Sequence, residues 1–93
     1  MSCKSTANVT TEMASRYLQQ LCKHFAHKVP AEFTPEAGSI TFSTGKCTLT
    51  AQGNILAMTV AAENAEELEE LKDVVARHLQ RFAFRDNPAI VWS

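Results

Sequence analysis

The chain has 93 residues and a formal net charge of −1; 45% of its residues are hydrophobic and 20% are charged. This length and composition predict one globular domain over residues 1–93 and exclude a second domain or a wholly disordered chain. The near-neutral charge argues against a nucleic-acid partner, and no apolar run approaches the roughly 20 residues that span a bilayer. Without an apolar signal region at its start, the protein is expected to be cytoplasmic.

The first part of the chain predicts a short strand followed by an amphipathic helix. Residues 5–10 alternate small apolar and polar side chains, which favours a weak or edge strand. Thr10 or Thr11 can cap the next helix, and Pro30 stops it, so we expect this first helix at about 12–27. Apolar residues recur at helical spacing along one side, which should face the core: Met13, Tyr17, Leu21 and Phe25, flanked by Ala14, Leu18 and Cys22.

The middle of the chain changes from helical spacing to alternation of apolar and polar residues, which is typical of strands. Strands are predicted at 32–34, 39–43, 46–52 and 55–62, with turns at 35–38, 44–45 and 53–54. Short turns between consecutive strands predict an antiparallel meander. The last of these strands is apolar on both faces, so we expect it to be central or covered on both faces.

A second helix is predicted after the meander. Asn64 can cap it, and Glu67 follows three residues later in a pattern that resembles a capping box. The helix should end at Arg81 or Phe82, and residues 89–92 are apolar enough to return as a last short strand. The apolar residues of this second helix recur every three or four positions and are predicted to be buried: Leu68, Leu71, Val75, Leu79 and Phe82.

Two helices and a meander, each apolar on one face, predict a two-layer α+β sandwich with both helices on one face of the antiparallel sheet. The three cysteines are odd in number and widely spaced, which favours free thiols over disulfides or a zinc site. One contiguous core is expected to contain Leu21, Phe25, Leu56, Met58, Leu71, Val75, Leu79 and Phe82.

The three histidines suggest a metal site. His24 and His27 are three residues apart on the first helix, and His78 would bring a third imidazole from the second helix. Three imidazoles suit zinc, iron or copper, although metalloprotease pairs use i,i+4 spacing with an intervening Glu. The alternative is that His24 and His78 form hydrogen bonds at the edge of the core while His27 is solvated. We expect no cofactor, and a metal-dependent or redox enzyme remains the alternative function.

Five basic residues on the two helices suggest a site for an anion or a partner protein: Arg16, Lys23, Arg77, Arg81 and Arg85. Guanidinium groups bind carboxylates and phosphates through paired donors. The competing interpretation is that Arg81 and Arg85 form ion pairs with Asp86 or interact with the C-terminal end of the helix. A catalytic Cys22 is poorly supported, because no acid that would orient a histidine base is evident. If the polar borders of the helices meet in a groove, one wall would carry Gln20, His24 and His27 and the other would carry His78, Arg81 and Arg85.

Three segments resemble a small bacterial family catalogued only as a domain of unknown function. They are TTEMASRYLQQLCKHFAHK at 10–28, GKCTLTAQ at 45–52 and RHLQRFAFRDNPAIVW at 77–92. The chain departs from the family at Asp86, where Glu is expected, and it has no flavin-binding segment of its own. The family pattern falls on Arg16, Tyr17, Gln20, His24, His27, His78, Arg81, Phe82 and Arg85.

The resemblance also implies a biological setting. Similar segments are fused to siderophore-interacting flavoproteins, which implies a link to iron acquisition and a flavoprotein partner. The leading prediction is therefore a non-catalytic binding or accessory module for an anionic small molecule, and a structural homodimer is a further alternative. The candidate ligand-binding residues are Arg16, Gln20, His24, His27, His78, Arg81 and Arg85.

Overall fold

The computed structural model describes residues 3–83, 85–86 and 88–93. Within these ranges the chain forms five strands and two helices. In chain order they are β1 (Cys3–Thr10), α1 (Ala14–Ala26), β2 (Ala31–Phe33), β3 (Ala37–Thr41), β4 (Gly45–Gln52), β5 (Ile55–Ala62) and α2 (Ala65–Phe82).

The five strands form one antiparallel sheet in the order β1-β5-β4-β3-β2. The meander from β2 to β5 is as predicted, and β1 adds to it beside β5, with Val9 opposite Leu56. β5 is therefore an interior strand, but only one of its faces is covered: Leu56 is fully buried, whereas the next residue, Ala57, is half-buried. The expectation that it is central is confirmed.

Both helices pack on the same face of this sheet, which confirms the two-layer α+β sandwich. α1 contacts β2, β3 and β4, while α2 contacts β1 and β5, so each helix covers one half of the sheet. The opposite face carries Thr48 and Thr50, which are exposed. The residues predicted for the contiguous core are buried except Phe82, which is half-buried against it, as is Met13 of the predicted apolar side of α1.

α1 begins two residues later than expected. Its N-cap is Met13, which has no side-chain cap, and the Thr11 hydroxyl instead accepts a hydrogen bond from the Met13 N–H at 3.1 Å. α2 begins as predicted. Asn64 accepts a hydrogen bond from the Glu67 N–H at 2.8 Å, and its amide donates to the Glu67 carboxylate at 3.2 Å. The Asn64 side chain thus satisfies one backbone donor that the first turn leaves open, and the Glu67 carboxylate holds the Asn64 amide in place.

Gly38 is a residue of β3 and not of a turn, so the predicted turn at 35–38 is too long. A Cβ at this position would lie 2.7 Å from Cys22 Sγ and 3.2 Å from Leu18 Cδ2 of α1. The first distance is shorter than side-chain contacts allow and the second is tight, so a larger residue would require the Cys22 and Leu18 side chains or α1 itself to move. Glycine here allows α1 to approach β3 closely.

The predicted last strand at 89–92 is wrong, because the tail meets the sheet only at its end. Trp92 forms an isolated antiparallel bridge with Ala7 on the outer edge of β1. Thr6 and Ser93 exchange two backbone hydrogen bonds of 3.2 and 2.9 Å, whereas Val91 is 72% exposed. The tail thus covers part of the edge of β1. No helix in the described ranges is both long and apolar enough to span a membrane.

Candidate functional site

The polar borders of the two helices meet at His24 and His78. The centroids of the two imidazole rings are 4.8 Å apart, and the ring planes are tilted by 48°. His24 also meets Phe82 edge-on, with centroids 5.8 Å apart, and His78 lies 4.7 Å from the ring of Phe25. The helices are therefore joined by an aromatic cluster that begins in the core and ends at the surface.

One of these imidazoles has a defined hydrogen bond. His78 Nδ1 lies 2.7 Å from the backbone oxygen of Val74, one turn earlier in α2. A carbonyl can only accept, so Nδ1 carries a proton and Nε2 remains an acceptor in the neutral ring. Desolvation lowers the pKa of His24, and the neighbouring His78, Lys28, His27 and Arg81 lower it further by charge repulsion. His24 is therefore held towards its neutral form.

A cleft of about 420 Å³ lies between the start of α1 and the end of α2. A second, more open groove of about 520 Å³ runs along the outer side of α1 and shares Met13, Arg16 and Gln20 with the cleft. Phe82 connects the cleft to the aromatic cluster, because it also contacts His24. The cleft is lined by Met13, Arg16, Tyr17, Gln20, Phe82, Arg85 and Asp86.

The inner wall of the cleft is fixed by a carboxylate that two hydroxyl groups hold. Thr11 Oγ1 donates to Asp86 Oδ2 at 2.6 Å, and the Tyr17 hydroxyl donates to the same oxygen at 3.2 Å. Burial raises the pKa of Tyr17, and the hydrogen bond to Asp86 and the charge of that carboxylate raise it further, so the phenol stays protonated. These bonds join the segment after α2 to the start of α1.

The structure brings some of the candidate residues together and separates others. Arg16, Gln20 and Arg85 share the cleft. His24 and His78 are in contact, and Arg81 is exposed on α2 near enough to influence the pKa of His24. His27 is exposed at the end of α1 and lines none of the clefts described above.

Two competing chemistries receive no support from this geometry. Within the described part of the chain, no three His, Cys, Asp or Glu side chains are grouped so that they could hold a metal ion. Burial raises the pKa of the Cys22 thiol to about 11 and that of Cys47 to about 12, so both remain neutral near pH 7. A neutral buried thiol is a poor nucleophile. All three cysteines are free, as predicted.

Asp86 and Thr11 are the site residues whose role the sequence did not indicate. The sequence predicts Asp86 as an ion-pair partner for Arg81 or Arg85 and Tyr17 as a core residue, and the family pattern that includes Tyr17 gives no role for its hydroxyl. Among the residues that the structure describes, Asp86 forms no ion pair with Arg81. The only sequence signal for the observed contact is the presence of two hydroxyl residues beside the first turn of the helix. Which carboxylate they bind depends on how the helix ends meet.

Comparison with known proteins places the chain in a family. A sequence model for DUF2218, described as an uncharacterized protein conserved in bacteria, matches residues 6–93. The NMR structure of PA4090 from Pseudomonas aeruginosa is similar, with 40% sequence identity and a TM-score of 0.82 over 97% of this chain and 94% of that one. No curated protein matches. The fusion to siderophore-interacting flavoproteins stays a prediction, whereas the matches show that the chain belongs to the DUF2218 family.

Proposed function

We propose that this protein is a non-catalytic binding module that takes a small anionic molecule in the cleft between α1 and the end of α2. The observation that carries the proposal is the placement of two arginines, Arg16 and Arg85, around one concavity of about 420 Å³. Concave sites with a few convergent polar groups on apolar walls are the usual form of small-molecule sites. Met13 and Phe82 supply such walls here.

The charge of the cleft favours an anion. Two guanidinium groups face one carboxylate, Asp86, so the lining carries an excess of one positive charge. Among the described residues, neither the ion pair of Lys72 with Glu69 nor that of Arg77 with Asp73 involves Arg16. Arg16 therefore keeps its donors available for a carboxylate, phosphate or catecholate oxygen, which guanidinium groups bind through two parallel hydrogen bonds.

The Gln20 amide and the His24–His78 pair extend the proposed binding surface along the helix border. Gln20 lines the cleft and can donate to or accept from a ligand. One turn after Gln20 in α1, the neutral form of His24 adds a polar, uncharged edge to this surface. An accessory role in siderophore or iron metabolism, with a flavoprotein partner, rests on the family resemblance and not on this geometry, and a cytoplasmic location rests on the sequence.

An NMR titration tests the proposal. Isotope-labelled protein is titrated with phosphate and citrate at millimolar concentrations, and then with a ferric siderophore, whose paramagnetic iron would broaden nearby signals. We expect shifts or broadening of the amides of Arg16, Gln20 and Phe82, while Thr48 and Thr50 on the uncovered sheet face serve as internal controls. Signals that move only on the sheet face, or none that move with any of these ligands, would show that the proposed site is wrong.

A further inference from the structure

We infer that the cleft selects molecules carrying both an anionic group and a hydrogen-bond donor around an apolar body, such as an amino acid with an aromatic or aliphatic side chain. This inference rests on the proposed function, because it names the ligand class of the same cleft. A site for simple anions alone would gain affinity by having no carboxylate in its wall. The observed lining instead places Asp86 beside Arg16 and Arg85.

Asp86 is held in a way that leaves it able to bind a ligand. Among the residues that the structure describes, Thr11 and Tyr17 donate to this side chain, and both bonds end on Oδ2. A carboxylate accepts at both oxygens, so Oδ1 retains the capacity to accept from an ammonium, amide or hydroxyl group. The two hydroxyl donors also fix the orientation of the carboxylate, which lowers the ordering cost when a ligand binds.

The other walls supply the two further features of this ligand class. Arg16 lies in the first turn of α1 and Arg85 follows α2, so cationic groups border the same cleft as Asp86. Met13 and Phe82 give it an apolar part, and Phe82 is only half-buried, so its ring can contact an aliphatic or aromatic body. A zwitterion could interact with the arginines through its anionic group and with Asp86 through its cationic group. A simple anion would be repelled by Asp86.

A matched pair of ligands tests this inference. L-Phenylalanine and 3-phenylpropanoate share the ring and the carboxylate and differ only in the ammonium group. Both are titrated calorimetrically against the wild type and Asp86→Asn, whose amide oxygen can still accept from Thr11 and Tyr17. We expect phenylalanine to bind the wild type about tenfold more tightly, in the range of one charge-assisted hydrogen bond, and this preference to disappear in Asp86→Asn.

The outcomes separate the two proposals. If 3-phenylpropanoate binds the wild type as tightly as phenylalanine does, the inferred ligand class is wrong while the anion site stands. If phenylalanine keeps its preference in Asp86→Asn, another group recognises the ammonium and the role of Asp86 is wrong. If neither compound binds at millimolar concentration but citrate does, the inference fails alone. If citrate and phosphate also fail to bind, the proposed function fails with it.

Discussion

The phenol hydroxyl of Tyr17 donates a hydrogen bond of 3.2 Å to Asp86 Oδ2, across 69 positions of sequence. This bond connects the first helix to the segment after the second, and Thr11 strengthens the connection with its own bond of 2.6 Å to the same oxygen. Asp86 thus stabilises the packing of the helices and shapes the wall of the cleft at the same time.

Tyr17→Phe is expected to lower the free energy of unfolding by about 1 to 2 kcal/mol, since it removes a hydrogen bond to a charged but partly exposed carboxylate. The ring stays in place, so the core should be unchanged. Urea denaturation of Tyr17→Phe, Asp86→Ala and the double variant should give a coupling energy of about 1 kcal/mol. Strictly additive effects would mean that the bond contributes nothing to stability.

Leu79→Ala should be strongly destabilising. Leu79 is fully buried in the stripe of α2 that packs on the sheet, and truncation of such a leucine costs about 2 to 5 kcal/mol through lost burial and the cavity left behind. Gln80→Ala, one residue further and exposed, is the matched control and should stay within about 0.5 kcal/mol of the wild type. Equal effects of the two changes in chemical denaturation would contradict the assigned orientation of α2.

Gly38→Ala should destabilise the protein by about 1 to 3 kcal/mol, the usual cost of overpacking a core. The added methyl group would lie 2.7 Å from Cys22 Sγ, so the cost should be smaller when Cys22 is already alanine. The stability of Gly38→Ala is therefore compared in the wild-type and Cys22→Ala backgrounds. A cost that does not depend on residue 22 would show that the close approach of α1 to β3 is not its cause.

The same glycine shows where sequence reasoning ends. Periodicity identified both helices and the strands of the meander, because the faces that bury apolar residues follow directly from helical and strand spacing. The sequence predicts a turn at Gly38, since only the distance between α1 and β3 reveals why a side chain is excluded there. Arg16, Gln20 and Arg85 were recognised as candidates, but the cleft depends on Asp86, whose partners Thr11 and Tyr17 are distant in the chain.

The stability of the protein should fall on mild acidification because of His24. Its pKa in the folded state lies below the ordinary value of 6.5, mainly through desolvation and then through repulsion from His78. The unfolded chain therefore takes up this proton first as the pH falls. The imidazole contributes stability that is fully present above pH 6.5 and is lost as the pH falls through the lowered pKa.

Denaturation of His24→Gln across this pH range measures the effect. The variant should lose less stability than the wild type as the pH falls below 6.5. His27→Gln removes only one of several charges that repel a proton from His24, so it should reduce the slope less than His24→Gln does. If the His24 variant keeps the full slope, or if His27→Gln reduces it as much, His24 does not set this pH dependence.

The most direct test of the account is the affinity of citrate for the wild type, Arg16→Ala and Arg77→Ala, measured by calorimetry at one ionic strength. The two variants lose the same charge, but Arg77 pairs with Asp73 at 3.1 Å and lies outside the cleft. We expect a loss of about tenfold in Arg16→Ala, the range of one charge-assisted hydrogen bond, and little change in Arg77→Ala. Equal affinities for all three proteins, or an equal loss in both variants, would contradict an anion site at this cleft.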